Sequence, residues 1–180
     1  MKLAENLEEL KIDPDKIKHE PFKRRTEPYE NTHYETVKEF FNRACELYPD
    51  EDCILEKIDK REPFNVTTYK EFQQQVKGLG TALLKVLNQK NKRVVIIGET
   101  QLDWYISYMS LLCCGIIAVP VDRELPDNEL ENVIKRARAT TVIYSPKKAD
   151  SIKKIRDQIP DVEYFVEMKS NKTLSEKDVS

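Results

Sequence analysis

The feature that most constrains the fold is a regular alternation of short β-branched runs and helix-length segments over residues 93–166. The first run, Val94-Val95-Ile96-Ile97, is continuous, which is typical of a strand buried on both faces of a parallel sheet. Strands separated by helix-length segments predict an α/β fold with a doubly wound, mostly parallel sheet and helices on both faces. The predicted strands are residues 94–97, 116–119, 141–144 and 162–166, and the predicted helices are residues 102–112, a segment from Pro126 to Ala137, and residues 149–158.

A helix and a β-hairpin are predicted before the sheet. Residues 53–58 and 64–67 have strand character on either side of the polar turn 59–63, which predicts the hairpin. The helix is predicted over residues 34–47, and Pro49 and Asp50 end it. Its predicted apolar stripe consists of residues at three- and four-residue steps: Val37, Phe40, Phe41, Ala44 and Leu47.

A second, longer helix begins after a capping box. The Thr68 hydroxyl is expected to accept the backbone amide of Glu71, and the Glu71 carboxylate to reach back to the amide of Thr68. Gly78 and Gly80 each weaken a helix by about 1 kcal/mol relative to Ala, so we expect a close-packing neighbour beside them. The residues predicted to be buried are Phe72, Val76, Leu79, Leu83, Leu84 and Leu87.

These patterns divide the chain into three parts. Residues 1–33 contain Pro14, Pro21 and Pro28 with little apolar periodicity, which predicts an extended polar arm. Residues 34–168 form the α/β domain. Residues 169–180 are polar and are predicted to be a frayed tail.

Composition argues against several classes of function. The 30 Lys and Arg residues nearly balance the 32 Asp and Glu residues, so no strong field attracts nucleic acid or an anionic membrane. The longest apolar stretch, residues 104–120, is interrupted by Ser107, Ser110 and Gly115 and is shorter than the roughly 18 residues of a membrane span. The N-terminus lacks the apolar region of a signal peptide, so we expect a cytoplasmic protein without a membrane span.

Cysteine and histidine spacing favours neither a metal site nor a nucleophile. Cys45, Cys53, Cys113 and Cys114 form no CxxC or Cys/His pattern, and the two histidines, His19 and His33, both lie in the polar arm, so no metal ligand is assigned. Cys113 and Cys114 lie in an apolar run, where we expect small core side chains and not reactive thiols. No GxSxG nucleophile elbow is present.

Ligands of such sheets bind at the carboxyl ends of the strands. Here those ends offer Gly98-Glu99-Thr100, Pro120-Val121-Asp122 and Ser145-Pro146-Lys147. The chain has four glycines and neither GxGxxG after a strand nor GxxxxGK[ST], so no residue is predicted to cradle a phosphate. A phosphoacceptor of the receiver type would need an acidic pair, whereas Glu99 and Asp122 are single acids on different strands.

The motifs together resemble the AMP-forming acyl-CoA synthetases. Thr68-Tyr69-Lys70-Glu71 is similar to the family's Thr-Tyr-x-Glu segment at a helix start, and Gly115, Pro120 and Asp122 match its Gly-x-x-x-x-Pro-x-Asp segment. Five further segments look like the N-terminal part of bacterial long-chain fatty-acid CoA ligases: Ile97-Gly98-Glu99, Asp103-Trp104, Ser107-Tyr108, Glu124-Leu125-Pro126 and residues 129–136. The likeness covers about residues 34–168. The resemblance makes Trp104 an aromatic that packs its helix onto the sheet.

The resemblance implies a parent enzyme that uses ATP, Mg²⁺ and CoA to convert a fatty acid to an acyl-adenylate and then to acyl-CoA. The family's phosphate loop, adenine and ribose contacts, magnesium-binding acid and catalytic Lys have no counterpart in this sequence. The matched motifs are structural in the family, so no catalytic, cofactor-binding or metal residue is assigned here, and the chain by itself is expected to be inactive.

Two hypotheses therefore remain. The chain is an N-terminal fragment of a long-chain fatty-acid CoA ligase whose partner is the remainder of the ligase polypeptide, or it is a free-standing, non-catalytic α/β binding module. For an isolated fragment we also expect a homodimer or aggregation, because an open strand edge at residues 162–166 would be a template for pairing.

Overall fold

The computed structural model describes residues 32–57, 61, 63–87 and 92–168. The predicted tail and all but residues 32 and 33 of the predicted arm lie outside the described residues, as do residue 58 of the predicted first strand and residues 59, 60 and 62 of the predicted turn. The elements below belong to the compact unit Tyr34–Ser180. The strands are β1 (Asp52–Glu56), β2 (Asn65–Thr68), β3 (Arg93–Ile97), β4 (Ile117–Val121), β5 (Thr141–Tyr144) and β6 (Tyr164–Glu167), and the helices are α1 (Val37–Leu47), α2 (Tyr69–Leu87), α3 (Leu102–Cys113), α4 (Asp127–Ala137) and α5 (Ala149–Ile155).

Strands β3–β6 form one parallel sheet in the order β4-β3-β5-β6, with helices on both faces, which confirms the predicted fold class. Side chains of β3 alternate between two cores. Val95 and Ile97 pack with residues of α4 and α5, whereas Val94 and Ile96 pack with residues of α2 and α3. All four side chains are fully buried, because helices cover both faces of this central strand.

Some boundaries differ from those predicted. Strand β4 continues to Val121, and β6 begins two residues later than expected, at Tyr164. The helix predicted over residues 149–158 ends at Ile155 and continues as a 3₁₀ turn, Arg156–Gln158. As predicted, β6 lies at an edge of the sheet that the described residues form.

Helix α1 packs through a narrower face than predicted. Its buried residues are Phe41 and Cys45, and the Phe41 ring meets the Phe72 ring edge-on at 5.5 Å. Val37, Phe40 and Leu47 of the predicted apolar stripe are exposed, so the stripe is only partly covered. Helical spacing defines two adjacent apolar strips here, and contact with α2 and α3 covers only one of them. The helix begins three residues later than expected because the Thr36 hydroxyl caps it at the Glu39 amide, 3.2 Å away.

Helix α2 has the predicted capping box. The Thr68 amide donates to Glu71 Oε2 at 2.9 Å, and the Glu71 amide donates to Thr68 Oγ1 at 3.3 Å. A Cβ on Gly80 would lie 2.8 Å from Cys114 Sγ, which confirms the close neighbour there, whereas nothing lies within 4 Å of one on Gly78. Leu84 is 53% exposed and not buried as predicted, because it lies at the border of the face that α2 presents to the sheet.

Helix α3 ends in a Schellman motif that starts the approach to β4. Gly115 has φ +68°, the Gly115 amide donates to the Leu112 carbonyl, and the Ile116 amide donates to the Leu111 carbonyl. Helix α4 ends in the same hydrogen-bond pattern, but a non-glycine residue, Arg138, takes the left-handed conformation there with φ 51°. Among the described residues, no helix combines the length and apolar character needed to cross a bilayer.

Candidate functional site

An open cleft of about 760 Å³ lies between the carboxyl edge of the sheet and the β1–β2 hairpin. The residues that follow β3, β4 and β5 supply Glu99, Arg123 and Lys147 on one side. Strand β1 and the residue after it supply Glu56 and Lys57 on the other. Tyr105 of α3 also lines the cleft. The cleft lies where open α/β sheets bind ligands, so this is the candidate site within the described residues.

Glu99 is the central charged group of this edge. Its side chain is largely buried, and its Oε1 lies 3.9 Å from Lys147 Nζ. Burial by itself would raise the pKa of the Glu99 carboxyl. The Ser145 hydroxyl, the backbone amide of Glu99 and the charges of Lys147 and Arg123 oppose burial and bring this pKa below its ordinary value. Glu99 is therefore held as a carboxylate among cations.

Glu56 joins the hairpin to the sheet. Its Oε1 accepts the backbone amide of Leu102, the first residue of α3, at 3.3 Å. Gln101, which precedes α3, makes no side-chain capping bond, so the carboxylate from the hairpin occupies the helix N-terminus. The contact holds the hairpin against α3 and closes one side of the cleft.

The space directly beside Gly98 at the carboxyl edge is closed. Gly98 is the glycine that follows β3, where a phosphate loop would need open space above the backbone. A Cβ placed on Gly98 would lie 2.8 Å from Ser145 Cβ, so the space beside this glycine is filled by the neighbouring strand end. No step of an adenylation reaction is assigned to the described residues.

Of the other residues singled out in the sequence, three lie around the capped helix. Thr68 and Glu71 form the capping box. Tyr69 packs beside Tyr48 with ring centres 6.3 Å apart, and burial together with the nearby Cys53 and Cys45 thiols raises its pKa. None of these three residues lines the cleft.

Trp104 stacks on Tyr108, with ring centres 5.2 Å apart and an angle of 22° between the planes. It packs against the core on the α3 side of the sheet, which is the position that the resemblance implies.

The segment that leads into and out of β4 contains Gly115, Pro120 and Asp122. Gly115 forms the helix end described above, and Pro120 lies on β4, an edge strand of this sheet, where proline is tolerated. Asp122 Oδ1 accepts the amide of Glu124 at 2.9 Å, and the Asp122 carbonyl accepts the amide of Leu125 at 3.2 Å. The aspartate therefore shapes a turn, and its neighbour Arg123, not Asp122 itself, lines the cleft.

The four cysteines are free thiols. Burial, reinforced by the neighbouring Cys53 thiol, raises the pKa of Cys45 to about 11, and burial also raises the pKa of the other three cysteines. Cys113 is the last residue of α3 and Cys114 follows it, and both are partly buried where small core side chains were expected. Among the residues that the structure describes, no three His, Cys, Asp or Glu side chains are grouped to hold a metal ion.

Sequence reasoning missed Glu56, Lys57, Tyr105 and Arg123 as cleft residues. No local signal marks the first two, because the hairpin reaches the sheet edge only through tertiary packing. Arg123 could have been predicted from the sequence, since it directly follows the residues expected at the end of β4.

The family model for AMP-binding enzymes matches residues 41–179, which is most of the chain. The chain belongs to the AMP-binding enzyme family. Nonribosomal peptide synthetase 5 of Aspergillus fumigatus is 26% identical to this chain over 111 residues, which are 62% of this chain and 5% of that protein.

Solved acid ligases share the fold. The anthranilate CoA ligase AuaEII has a TM-score of 0.68 and 18% identity, with 75% of this chain and 25% of that chain covered. Coronafacic acid ligase of Pectobacterium brasiliense has a TM-score of 0.69 and 15% identity, with 79% and 28% covered. A Rhodopseudomonas palustris protein provisionally described as a long-chain-fatty-acid CoA ligase has a TM-score of 0.66 and 16% identity, with 78% and 34% covered. The chain thus spans about a third or less of the length of each relative.

Proposed function

We propose that this chain is the N-terminal part of an acid–CoA ligase whose acid is a long-chain fatty acid. The complete polypeptide uses ATP and Mg²⁺ to form an acyl-adenylate and then transfers the acyl group to CoA. The partner of this chain is the remainder of that polypeptide, and nucleic acid is not a partner. The enzyme acts in the cytoplasm. The observation that carries this proposal is the family match over residues 41–179.

The acid is the finer part of the proposal. Support for a long-chain fatty acid comes from the segments Ile97-Gly98-Glu99 and Asp103-Trp104, which look like those of bacterial long-chain ligases. One structural relative is provisionally described as a long-chain-fatty-acid CoA ligase. Others are an anthranilate CoA ligase and a coronafacic acid ligase, so an assay has to compare acids of these kinds.

We propose that residues 34–168 form the domain that shapes one side of the site. Along the sequence this domain follows an arm at residues 1–33 and precedes a tail at residues 169–180. The capping box at Thr68 starts α2, Gly115 and Asp122 shape the turns around β4, and Glu56 holds the hairpin at the cleft. Phosphate-binding and catalytic groups are supplied by residues beyond this chain.

The test has two stages. The chain alone is titrated with ATP and Mg²⁺ at millimolar concentration in a calorimeter, and no saturable heat is expected because the edge beside Gly98 is filled. A dissociation constant in the micromolar range would contradict the assigned role.

The polypeptide encoded by this frame together with its downstream sequence is then assayed for ATP–pyrophosphate exchange with palmitate, octanoate and anthranilate. Exchange that is greatest with palmitate supports the proposal. Exchange only with anthranilate would overturn the acid, and a frame that stops without a ligase segment would favour a free-standing binding module.

A further inference from the structure

Two of the free thiols meet in one small core between α1 and the β1–β2 hairpin. Cys45, in the last turn of α1, is 4% exposed and belongs to the buried cluster that contains Phe41 and Phe72, which we call the α1 core. Cys53, on β1, is partly buried and packs against the same core. Neither thiol lines the cleft at the sheet edge, so the role proposed for this domain uses neither of them.

An irregularity in the hairpin turns Cys53 toward the α1 core. The pairing of β1 with β2 shifts between Asp52 and Ile54, and Cys53 stands between them without a cross-strand partner. In a regular strand, neighbouring side chains point to opposite faces. Here Cys53 and Ile54 both pack against the α1 core, because an extra residue in one strand re-aims its side chains. The bulge therefore brings the Cys53 thiol to the side of the hairpin on which Cys45 lies.

The chain between the two cysteines is held by backbone hydrogen bonds. The Glu51 amide donates to the Tyr48 carbonyl at 3.2 Å. The Tyr69 amide donates to the Glu51 carbonyl at 3.2 Å, and the Lys70 amide donates to the Pro49 carbonyl at 2.9 Å, so the connection is tied to the start of α2. Because this short connection is fixed, α1 and β1 keep both thiols at the same core.

The two thiols also influence each other electrostatically. After burial, Cys53 is the group that contributes most to raising the pKa of Cys45 to about 11. Burial raises the pKa of Cys53 as well. Both groups are therefore protonated at neutral pH, and their oxidation should be slow there because the thiolate is the reacting form. Cys53 is the more exposed of the two, so an oxidant should reach it first.

We propose that Cys45 and Cys53 form a redox-sensitive pair, which a peroxide converts to a disulfide that links α1 to the hairpin. The Cys53 thiolate attacks one oxygen of hydrogen peroxide, the O–O bond breaks, and the products are a sulfenic acid and hydroxide, which takes up the thiol proton as water. The Cys45 thiolate then attacks the sulfenic sulfur, the S–O bond breaks, and a second water leaves. Two thiols and one peroxide thus give one disulfide and two waters, and the two sulfurs supply the two electrons.

The link would act on the strand that shapes the cleft. Glu56 lies three residues after Cys53 on β1 and accepts the Leu102 amide at the start of α3. A disulfide at Cys53 would restrain this strand against α1. Disulfides formed in the reducing cytoplasm are typically transient and redox-sensing, which fits a pair that is free in the reduced protein.

Cys113 and Cys114 are the competing thiols. Cys113 packs against the α1 core, but it affects the pKa of Cys45 less than Cys53 does. A disulfide between the neighbours Cys113 and Cys114 is disfavoured, because consecutive Cα atoms are about 3.8 Å apart, whereas those of a disulfide are usually about 4.4–6.8 Å apart. The favoured product is therefore the link between Cys45 and Cys53.

The experiment treats the full chain with millimolar hydrogen peroxide, blocks the remaining thiols by alkylation, and maps the linked peptides by mass spectrometry. We expect the 45–53 link in the wild type, which requires no variant. The double variant Cys113→Ser/Cys114→Ser is the matched control and should form the same link within twofold of the wild-type rate. Cys45→Ser should stop at a sulfenic acid on Cys53, which dimedone labels. A main product linking 45 to 113 or 113 to 114, or no disulfide, overturns the inference.

Two further measurements test the chemistry and its consequence. The rate of disulfide formation should rise about tenfold per pH unit between pH 7 and pH 8.5, because the thiolate fraction rises by that factor below the pKa of a thiol. A rate that is independent of pH would show that protonated, buried thiols are not the reacting groups. After oxidation, the amides of residues 52–56 should exchange with solvent about tenfold more slowly, since a cross-link suppresses local opening. Unchanged exchange would contradict restraint of the hairpin by the link.

Discussion

Replacement of Gly98 by alanine tests how β3 and β5 meet at the candidate site. The backbone at Gly98 does not have a positive φ, so alanine is conformationally allowed there. Its Cβ would lie 2.8 Å from Ser145 Cβ, whereas ordinary carbon contacts begin near 3.4 Å. Ser145 cannot easily withdraw, because it is almost fully buried and its amide donates to the Ile97 carbonyl at 3.0 Å. The two strand ends must therefore separate.

The magnitude follows from two opposing effects. Overpacking of a well-packed region costs about 1–3 kcal/mol. Loss of glycine's flexibility in the unfolded chain returns about 0.4–1 kcal/mol. We expect Gly98→Ala to lower the free energy of unfolding by about 0.5–2 kcal/mol. In a Ser145→Gly background the obstructing Cβ is absent, so the same change should be neutral or stabilising.

Urea unfolding of the four proteins of this double-mutant cycle, followed by fluorescence of the lone tryptophan Trp104, measures the coupling. A coupling of about 0.5–3 kcal/mol is expected for residues in direct contact. Additive effects of the two substitutions, or a Gly98→Ala protein as stable as wild type, would refute the packing argument.

Four further substitutions can be measured by the same urea unfolding. Gly78→Ala should raise the free energy of unfolding by about 0.5–1 kcal/mol, because it lies in α2 with nothing within 4 Å of its added Cβ; no gain would indicate an unrecognised contact. Thr68→Ala should lower the free energy of unfolding by about 0.5–2 kcal/mol because the capping hydrogen bond is lost, and unchanged urea midpoints and slopes would show that Thr68 does not cap α2. Arg138→Gly should raise the free energy of unfolding by about 1 kcal/mol by relieving the left-handed backbone, and an unchanged or lower value would contradict the strain argument. Hydrogen bonds from the backbone amide and the hydroxyl of Thr68 lower the pKa of Glu71. The Glu71 carboxylate therefore stabilises the fold above the ordinary glutamate pKa of about 4.3, and this contribution is lost as pH falls through the lowered pKa. Glu71→Gln should reduce the fall in stability between pH 6 and pH 3, and identical pH profiles of variant and wild type would contradict this.

Local sequence signals predicted the elements that depend on neighbours along the chain. The β-branched run at residues 94–97 gave the central strand, and Thr68 with Glu71 gave the start of α2, because three residues of separation suffice for a capping box. Gly115 was singled out through the family resemblance, and the structure adds the positive φ that explains a glycine there.

Which helix residues are buried was harder to predict from the sequence. Phe40 and Leu84 have the spacing of buried residues, yet both are more than half exposed. Periodicity indicates which side chains lie on the same strip of a helix. Whether that strip is covered depends on the elements packed beside it, which lie far away in the sequence.

The sequence by itself determined the α/β class, the order of the elements and the capped helix start, since propensity, periodicity and capping act over a few residues. Only the tertiary structure decided that Glu56 caps α3 from 46 residues away and that Ser145 fills the space beside Gly98. The cleft arises in the same way. These contacts join residues whose separation along the chain carries no local signal, and packing of the whole domain brings them together.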